Sequence, residues 1–270
     1  MAAPTEVNWS ALSHPGKYRK DNEDSFLALL VEDQQIQRLG KIGEAELNNR
    51  SFVFAVSDGM GGANAGEFAS RIAVDSLTRY TSSDPLPKED EACHEFLKKL
   101  FQNIHEAINK QSQAYVECQG MGATLSLCLV QDQKLHYCHV GDSRIYRYAE
   151  GEEDIEALTQ DDNHVGWLYK QGKLTERQAR NHPKRSSLQQ VLGGKTQFLK
   201  PQVATLPIAE NDTYILCSDG VVEGLANRAM KRNATTAQPG DERTPAERIV
   251  LEAVEADGRD NTTALVFRLQ

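Results

Sequence analysis

Apolar and polar positions fall into short runs bounded by turn residues, and two stretches carry a helical period. Segments 25–31, 51–56, 124–130, 134–140, 144–148, 213–217 and 262–269 are rich in β-branched and aromatic residues and read as strands. The pair flanking Gly141-Asp142-Ser143 predicts a hairpin with a three-residue turn. Over 65–80, Ala69, Ile72, Ala73, Ser76, Leu77 and Tyr80 share one helical face. Over 95–115, Phe96, Leu97, Leu100, Phe101, Ile104 and Ile108 make an apolar stripe. Thr175-Glu176-Arg177-Gln178 and Thr244-Pro245-Ala246-Glu247 are capping boxes that start short helices; the second has Pro at its first position and ends near Gly258. Strands in consecutive groups, interrupted by two adjacent helices, favour an α+β fold of antiparallel sheets with helices on their faces. Segments 33–50 and 227–243 read as exposed insertions, loops or lids.

Composition narrows the class. The 270 residues suit one or two domains, and 30 Lys plus Arg against 39 Asp plus Glu leave a charge of −9. That acidity disfavours a nucleic-acid binder. No apolar run approaches the roughly 18 residues of a membrane span. The start, MAAPTEVNWS, has neither a basic nor an apolar region, so no export signal and a cytoplasmic location are expected. Cys93, Cys118, Cys128, Cys138 and Cys217 are odd in number and form no C-x-x-C pair, which predicts reduced thiols rather than a disulfide framework or a zinc site.

The informative pattern is where the acidic residues stand. The run 52–56 leads into Ser57-Asp58-Gly59-Met60-Gly61-Gly62, 214–217 into Ser218-Asp219-Gly220, and 135–140 into Gly141-Asp142-Ser143-Arg144; Asp260-Asn261 precedes the last strand. One Asp-Gly after a strand is an ordinary turn. Four aspartates at the ends of core strands would converge, and like charges 4 Å apart repel by about 1 kcal/mol even in water. Such a set needs cations. Its donors are all oxygen, which suits Mg²⁺ or Mn²⁺ and not zinc. Upstream, Arg19 and the Asn22-Glu23-Asp24 stretch adjoin another core strand, and an arginine there could clamp phosphate oxygens.

Together these residues resemble the PPM, or type 2C, family of metal-dependent serine/threonine protein phosphatases. The matching blocks are Arg19 with Asn22-Glu23-Asp24-Ser25, Ser57 to Gly62, Gly122-Ala123-Thr124, Val140 to Arg144, Leu158-Thr159-Gln160-Asp161, Ser218-Asp219-Gly220 and Asp260-Asn261-Thr262-Thr263, in the family's order. Segment 164–194 looks like the flap of bacterial members. The resemblance implies a single domain over 1–270, a four-layer αββα sandwich of two antiparallel sheets flanked by helices, and a binuclear Mn²⁺ or Mg²⁺ centre at one edge. By position, Asp58 would bridge the metals, the Gly59 carbonyl would bind one, and Asp219 and Asp260 would complete the other. Glu23 would orient a water, Asp24 would support the cluster, and Arg19 would bind the substrate phosphate. Asp142, sharing Asp219, matches a third, weaker metal site. Two positions depart from the pattern. Met60 stands where animal members carry a proposed acid, His, and Glu223 stands where the family often has Asp.

The expected reaction is hydrolysis of phosphoserine and phosphothreonine monoesters by a metal-bridging water or hydroxide, with Arg19 aligning the phosphorus. Cys217 has no basic neighbour to activate it as a nucleophile. The expected partners are phosphorylated proteins and a cognate bacterial serine/threonine kinase, for a monomeric enzyme that binds neither nucleic acid nor membrane. Two alternatives stand beside this: an inactive phosphoprotein-binding scaffold, and another two-metal phosphohydrolase.

Overall fold

In a computed structural model of the chain, which describes residues 3–32, 35–61, 65–81, 85–194, 196–237 and 239–270, the elements follow in this order. They are β1 (Glu6–His14), β2 (Asp24–Glu32), β3 (Gln35–Arg38), β4 (Ile42–Glu46), β5 (Ser51–Met60), α1 (Ala65–Thr81), α2 (Asp90–Ala114), β6 (Gly122–Ala123), β7 (Leu125–Gln131), β8 (Lys134–Val140), β9 (Arg144–Tyr148), β10 (Glu156–Ala157), α3 (His164–Lys170), α4 (Glu176–Arg180), β11 (Leu192–Gly193), β12 (Gln202–Pro207), β13 (Thr213–Cys217), α5 (Asp219–Gly224), α6 (Asn227–Thr235), α7 (Pro245–Ala256) and β14 (Thr262–Leu269). One sheet runs β10-β9-β13-β14-β1-β4. The other runs β3-β2-β5-β7-β8-β12, with β6 beside the end of β5 and β11 beside β6. The recorded pairings are antiparallel.

Period-two alternation builds the layers. On β5, Phe52, Phe54 and Val56 face the other sheet, where Trp9, Tyr214, Leu216 and Phe267 meet them. Val53 and Ala55 face the opposite way, onto Ala69, Ala73 and Leu77 of α1 and Phe101 and Ile104 of α2. On the far side, Ile215, Cys217 and Val266 pack against Val221, Met230, Ile249 and Val250 of α5, α6 and α7. The result is the expected αββα sandwich. Both expected capping boxes form, at Thr175/Gln178 and Thr244/Glu247. Among the described residues no helix is long and apolar enough to cross a membrane.

Three expectations change. Strands β8 and β9 are not a hairpin: β8 pairs with β7 and β12, whereas β9 pairs with β13 and β10. Gly141 sits at φ +110, and its N–H and carbonyl bond to Asp162, at 2.8 and 2.7 Å, so the chain crosses between sheets there. Segment 33–50, of which residues 33 and 34 lie outside the described residues, supplies β3 beside β2 and β4 beside β1, and so ties one edge of each sheet. Segment 227–243 begins with helix α6, whose buried Met230 and Ala234 are one turn apart and pack in the outer layer. Strand β1 escaped the strand reading although Val7, Trp9 and Ala11 alternate and are buried.

Candidate active site

The register of β2 against β5 places Asp24 directly opposite Asp58, which puts two carboxylates side by side at one end of the sandwich. In the facing sheet, Asp219 follows β13 as the first residue of α5, and Asp260 stands just before the neighbouring strand β14. The Ser218 hydroxyl joins the sheets here. It donates to Asp24 Oδ2 at 2.7 Å and accepts the Thr263 N–H at 3.0 Å. Asp142 arrives from the β8–β9 crossover. Carboxylates from both sheets thus stand at one edge of the sandwich.

The field they create is visible in their acidities. Desolvation holds the Asp58 carboxyl well above its ordinary range, and Asp24, Asp219, Asp142 and Asp260 each push it further. Asp219 is raised by desolvation and then by Asp142, Asp260, Glu223 and Asp24. Burial pushes Asp24 up to about 6 against the Thr263 and Ser218 hydroxyls, and its buried Oδ1 has no hydrogen-bond partner among the described residues. Asp142 is pushed up to about 7 by burial and then Asp161, with Arg144 opposing. Glu23 is raised by desolvation, opposed by Arg19 and by the Gly66 N–H. Arg19 donates to Asp260 Oδ2 at 2.8 Å and holds its charge more firmly for that hydrogen bond.

Several residues that the motifs contained had no role assigned from sequence. Asn261 accepts the Glu23 N–H at 2.8 Å and donates to the Pro15 and Asp21 carbonyls at 3.0 Å, clamping the loop that carries Arg19 and Glu23. Thr124 Oγ1 accepts the Asp58 N–H at 3.0 Å and meets Ser143 Oγ at 2.6 Å, so it fixes the Asp58 and Asp142 backbones together. Arg144 grips Asp161 through two bonds of 2.7 and 2.8 Å behind Asp142. The glycines after the aspartates serve packing. A Cβ on Gly59 would lie 2.0 Å from the Gly66 carbonyl oxygen, and one on Gly220 2.1 Å from that of Asn261. Gly62, the last residue of the Ser57 block, lies outside the described residues.

Glu223 stands beside the cluster and adds its charge against Asp219, whereas the histidines and cysteines stay apart. Glu223 is held by Arg185 of segment 164–194. His136 Nδ1 bonds Thr205 and His139 Nδ1 bonds Ser126, so neither joins the carboxylates. All five cysteines are free and buried, and burial pushes the Cys217 thiol up to about 12, which leaves no thiolate to attack anything at neutral pH. A cavity of about 470 Å³ opens beside the cluster, lined by Asp142, Asp219 and Glu223 together with Lys170, Arg180 and Arg185.

The residues fit divalent cations by chemistry. The donors are anionic oxygens, one buried carboxylate oxygen lacks a partner among the described residues, and the cations of the chain that meet the cluster are Arg19 at Asp260 and Arg144 near Asp142. Among the described residues no three Asp, Glu, His or Cys groups are already drawn into ligand geometry.

Comparison with known proteins agrees. The family model described as Protein phosphatase 2C matches residues 41–250. The chain is 32% identical over 247 residues to Protein phosphatase PhpP of Streptococcus pneumoniae, a match covering 86% of the chain and 96% of that protein. It is 29% identical over 270 residues to Serine/threonine protein phosphatase PstP of Mycobacterium tuberculosis; this match takes in 98% of the chain but 46% of that protein, so the chain spans about half the length of that relative. The solved catalytic domain of serine threonine protein phosphatase PstP, in complex with two manganese ions, superposes with a TM-score of 0.74 at 25% identity, over 98% of each chain. With its fold, its ordered motifs and these matches in agreement, the chain belongs to the protein phosphatase 2C family.

Proposed function

We propose that this chain is a metal-dependent phosphatase that hydrolyses phosphoserine and phosphothreonine monoesters on proteins phosphorylated by a bacterial serine/threonine kinase. The 270 residues act as one phosphatase domain, with 164–194 as a flap. One observation carries the reading: Asp24, Asp58, Asp142 and Asp219 come from both sheets to one edge, where burial and neighbouring carboxylates hold them above their ordinary range, and Asp260 stands with them beside an arginine.

Asp58, the Gly59 carbonyl, Asp219 and Asp260 would hold two Mn²⁺ or Mg²⁺ ions, and Asp142 with Asp219 a third, weaker one. Such ions supply positive charge against the phosphate and acidify water for attack on phosphorus. Arg19 binds the phosphate oxygens, and Asp260, its partner at 2.8 Å, fixes the direction from which the guanidinium reaches them. Glu23, half-buried and raised by desolvation, orients the attacking water through its carboxylate. Asp24 Oδ1, without a partner among the described residues, is the acceptor for a further water, while its Oδ2 is held by Ser218. Asn261 keeps the Arg19–Glu23 loop in register with Asp260, which converts binding into alignment. With Met60 after the Asp58-Gly59 pair, no side chain there donates a proton to the leaving oxygen, so solvent does so.

The test is phosphate release from a phosphothreonine peptide with and without Mn²⁺. We expect turnover only with the ion and its loss in Asp58→Asn. Tight phosphopeptide binding without turnover would favour the scaffold reading. Turnover of a cyclic dinucleotide in place of the peptide would favour another phosphohydrolase.

A further inference from the structure

Segment 164–194 has the opposite charge from the rest of the molecule. It contains Lys170, Lys173, Arg177, Arg180, Lys184 and Arg185 against Glu176 alone, a net of 6 − 1 = +5 in a chain of −9, which leaves −14 elsewhere. These charges are largely unspent. Arg185 is taken by Glu223, and Lys173 lies over the Trp167 ring at 4.7 Å from its centroid. Among the described residues, Lys170, Arg177, Arg180 and Lys184 have no carboxylate within 4 Å. Trp167 and Tyr169 of α3 are 44% and 41% exposed beside them.

The position matters more than the count. Lys170, on α3, and Arg180, on α4, line the same cavity of about 470 Å³ as Asp142 and Asp219. A peptide whose phosphate sits among the acidic cluster therefore has its neighbouring residues in reach of two unpaired cations. Acidic neighbours would be repelled by the carboxylates of that lining and drawn to Lys170 and Arg180. Basic neighbours would find Lys170 and Arg180 repulsive.

Resting on the phosphatase reading above, we infer that segment 164–194 selects phosphorylated segments that carry Asp, Glu or a second phosphate near the scissile phosphoresidue, through Lys170 and Arg180. Pairs at this distance from phosphorus act on ground state and transition state alike, so the preference is a KM effect. Two partly exposed pairs give about a tenfold preference at low ionic strength, which salt erodes.

Matched phosphothreonine peptides with acidic, neutral and basic flanks would be compared with p-nitrophenyl phosphate, all with Mn²⁺. The expected result is an acidic-to-neutral kcat/KM ratio of about ten, carried by KM and shrinking with added salt. In Lys170→Glu/Arg180→Glu the ratio should fall to one or below. Lys170→Arg/Arg180→Lys should keep it. A ratio is immune to partial misfolding, since every peptide loses equally. Equal turnover of all three peptides would overturn the inference and leave the phosphatase reading standing; turnover of neither peptide nor aryl phosphate would overturn that reading instead.

Discussion

Strand β13 has a buried or half-buried aspartate at each end, and the two differ in how their charge is met. Asp212, 1% exposed, sits just before the strand. One of its oxygens accepts from Arg147 at 2.8 and 3.1 Å, from the Ala209 N–H at 3.0 Å and from Tyr214 OH at 3.1 Å. Asp219, just after the strand, has no cation within 4 Å among the described residues and is crowded by Asp142, Asp260, Glu223 and Asp24. Asp212, buried and filled by an arginine, a tyrosine and a backbone N–H, is part of the scaffold. Asp219, crowded by other carboxylates, is where the proposed function needs charge from outside the chain.

That contrast can be broken in four ways. Removing the satisfied member should hurt stability most. Asp212→Ala leaves Arg147 unpaired and should cost about 3–5 kcal/mol in chemical denaturation, with activity per folded molecule retained. Neutralising a crowded member should do the reverse. Asp58→Asn should lower kcat/KM by roughly a hundred- to a thousandfold, yet raise the melting temperature of the metal-free protein by relieving repulsion.

The third way is pH. Folded Asp24 titrates at about 6 and Asp142 at about 7, above the roughly 4 of an unfolded aspartate. The metal-free folded state therefore holds protons that the unfolded chain has released between those values. Its stability should fall as pH rises from about 4 to about 7 and stay low above, by about 3 kcal/mol for Asp24 alone. Saturating Mn²⁺ should flatten that slope, as differential scanning fluorimetry across pH would report. The smallest effect is at the rim. Arg19→Lys keeps the charge but loses the planar fork, and kcat/KM on a phosphopeptide should drop about tenfold.

Much of this was legible in the sequence, for physical reasons. Period-two alternation forces Phe52, Phe54 and Val56 to one face, so a strand running into Asp58 had to deliver that carboxylate to an edge of the core. The resemblance then supplied the αββα layering. What the sequence hid was sheet membership. Strands β8 and β9 carry the same alternation whether they form a hairpin or part company, and only the Gly141–Asp162 bonds decide it. It also hid the polar clamps. Ser218, Thr124 and Asn261 act through partners 194, 66 and 238 residues away, distances over which no local pattern can speak. The charge reversal of 164–194 was there to be counted, but its meaning depends on the cavity that it lines.

The central claim is that the acidic edge of the sandwich binds divalent cations and the opposite end of β13 does not. A crystal grown with manganese, with anomalous diffraction recorded at the metal edge, tests it most directly. The account predicts two strong peaks among Asp58, the Gly59 carbonyl, Asp219 and Asp260, at metal–oxygen distances near 2.1 Å, and none near Asp212. An edge that stays free of metal at saturating manganese, with its carboxylates still spread apart, would contradict it.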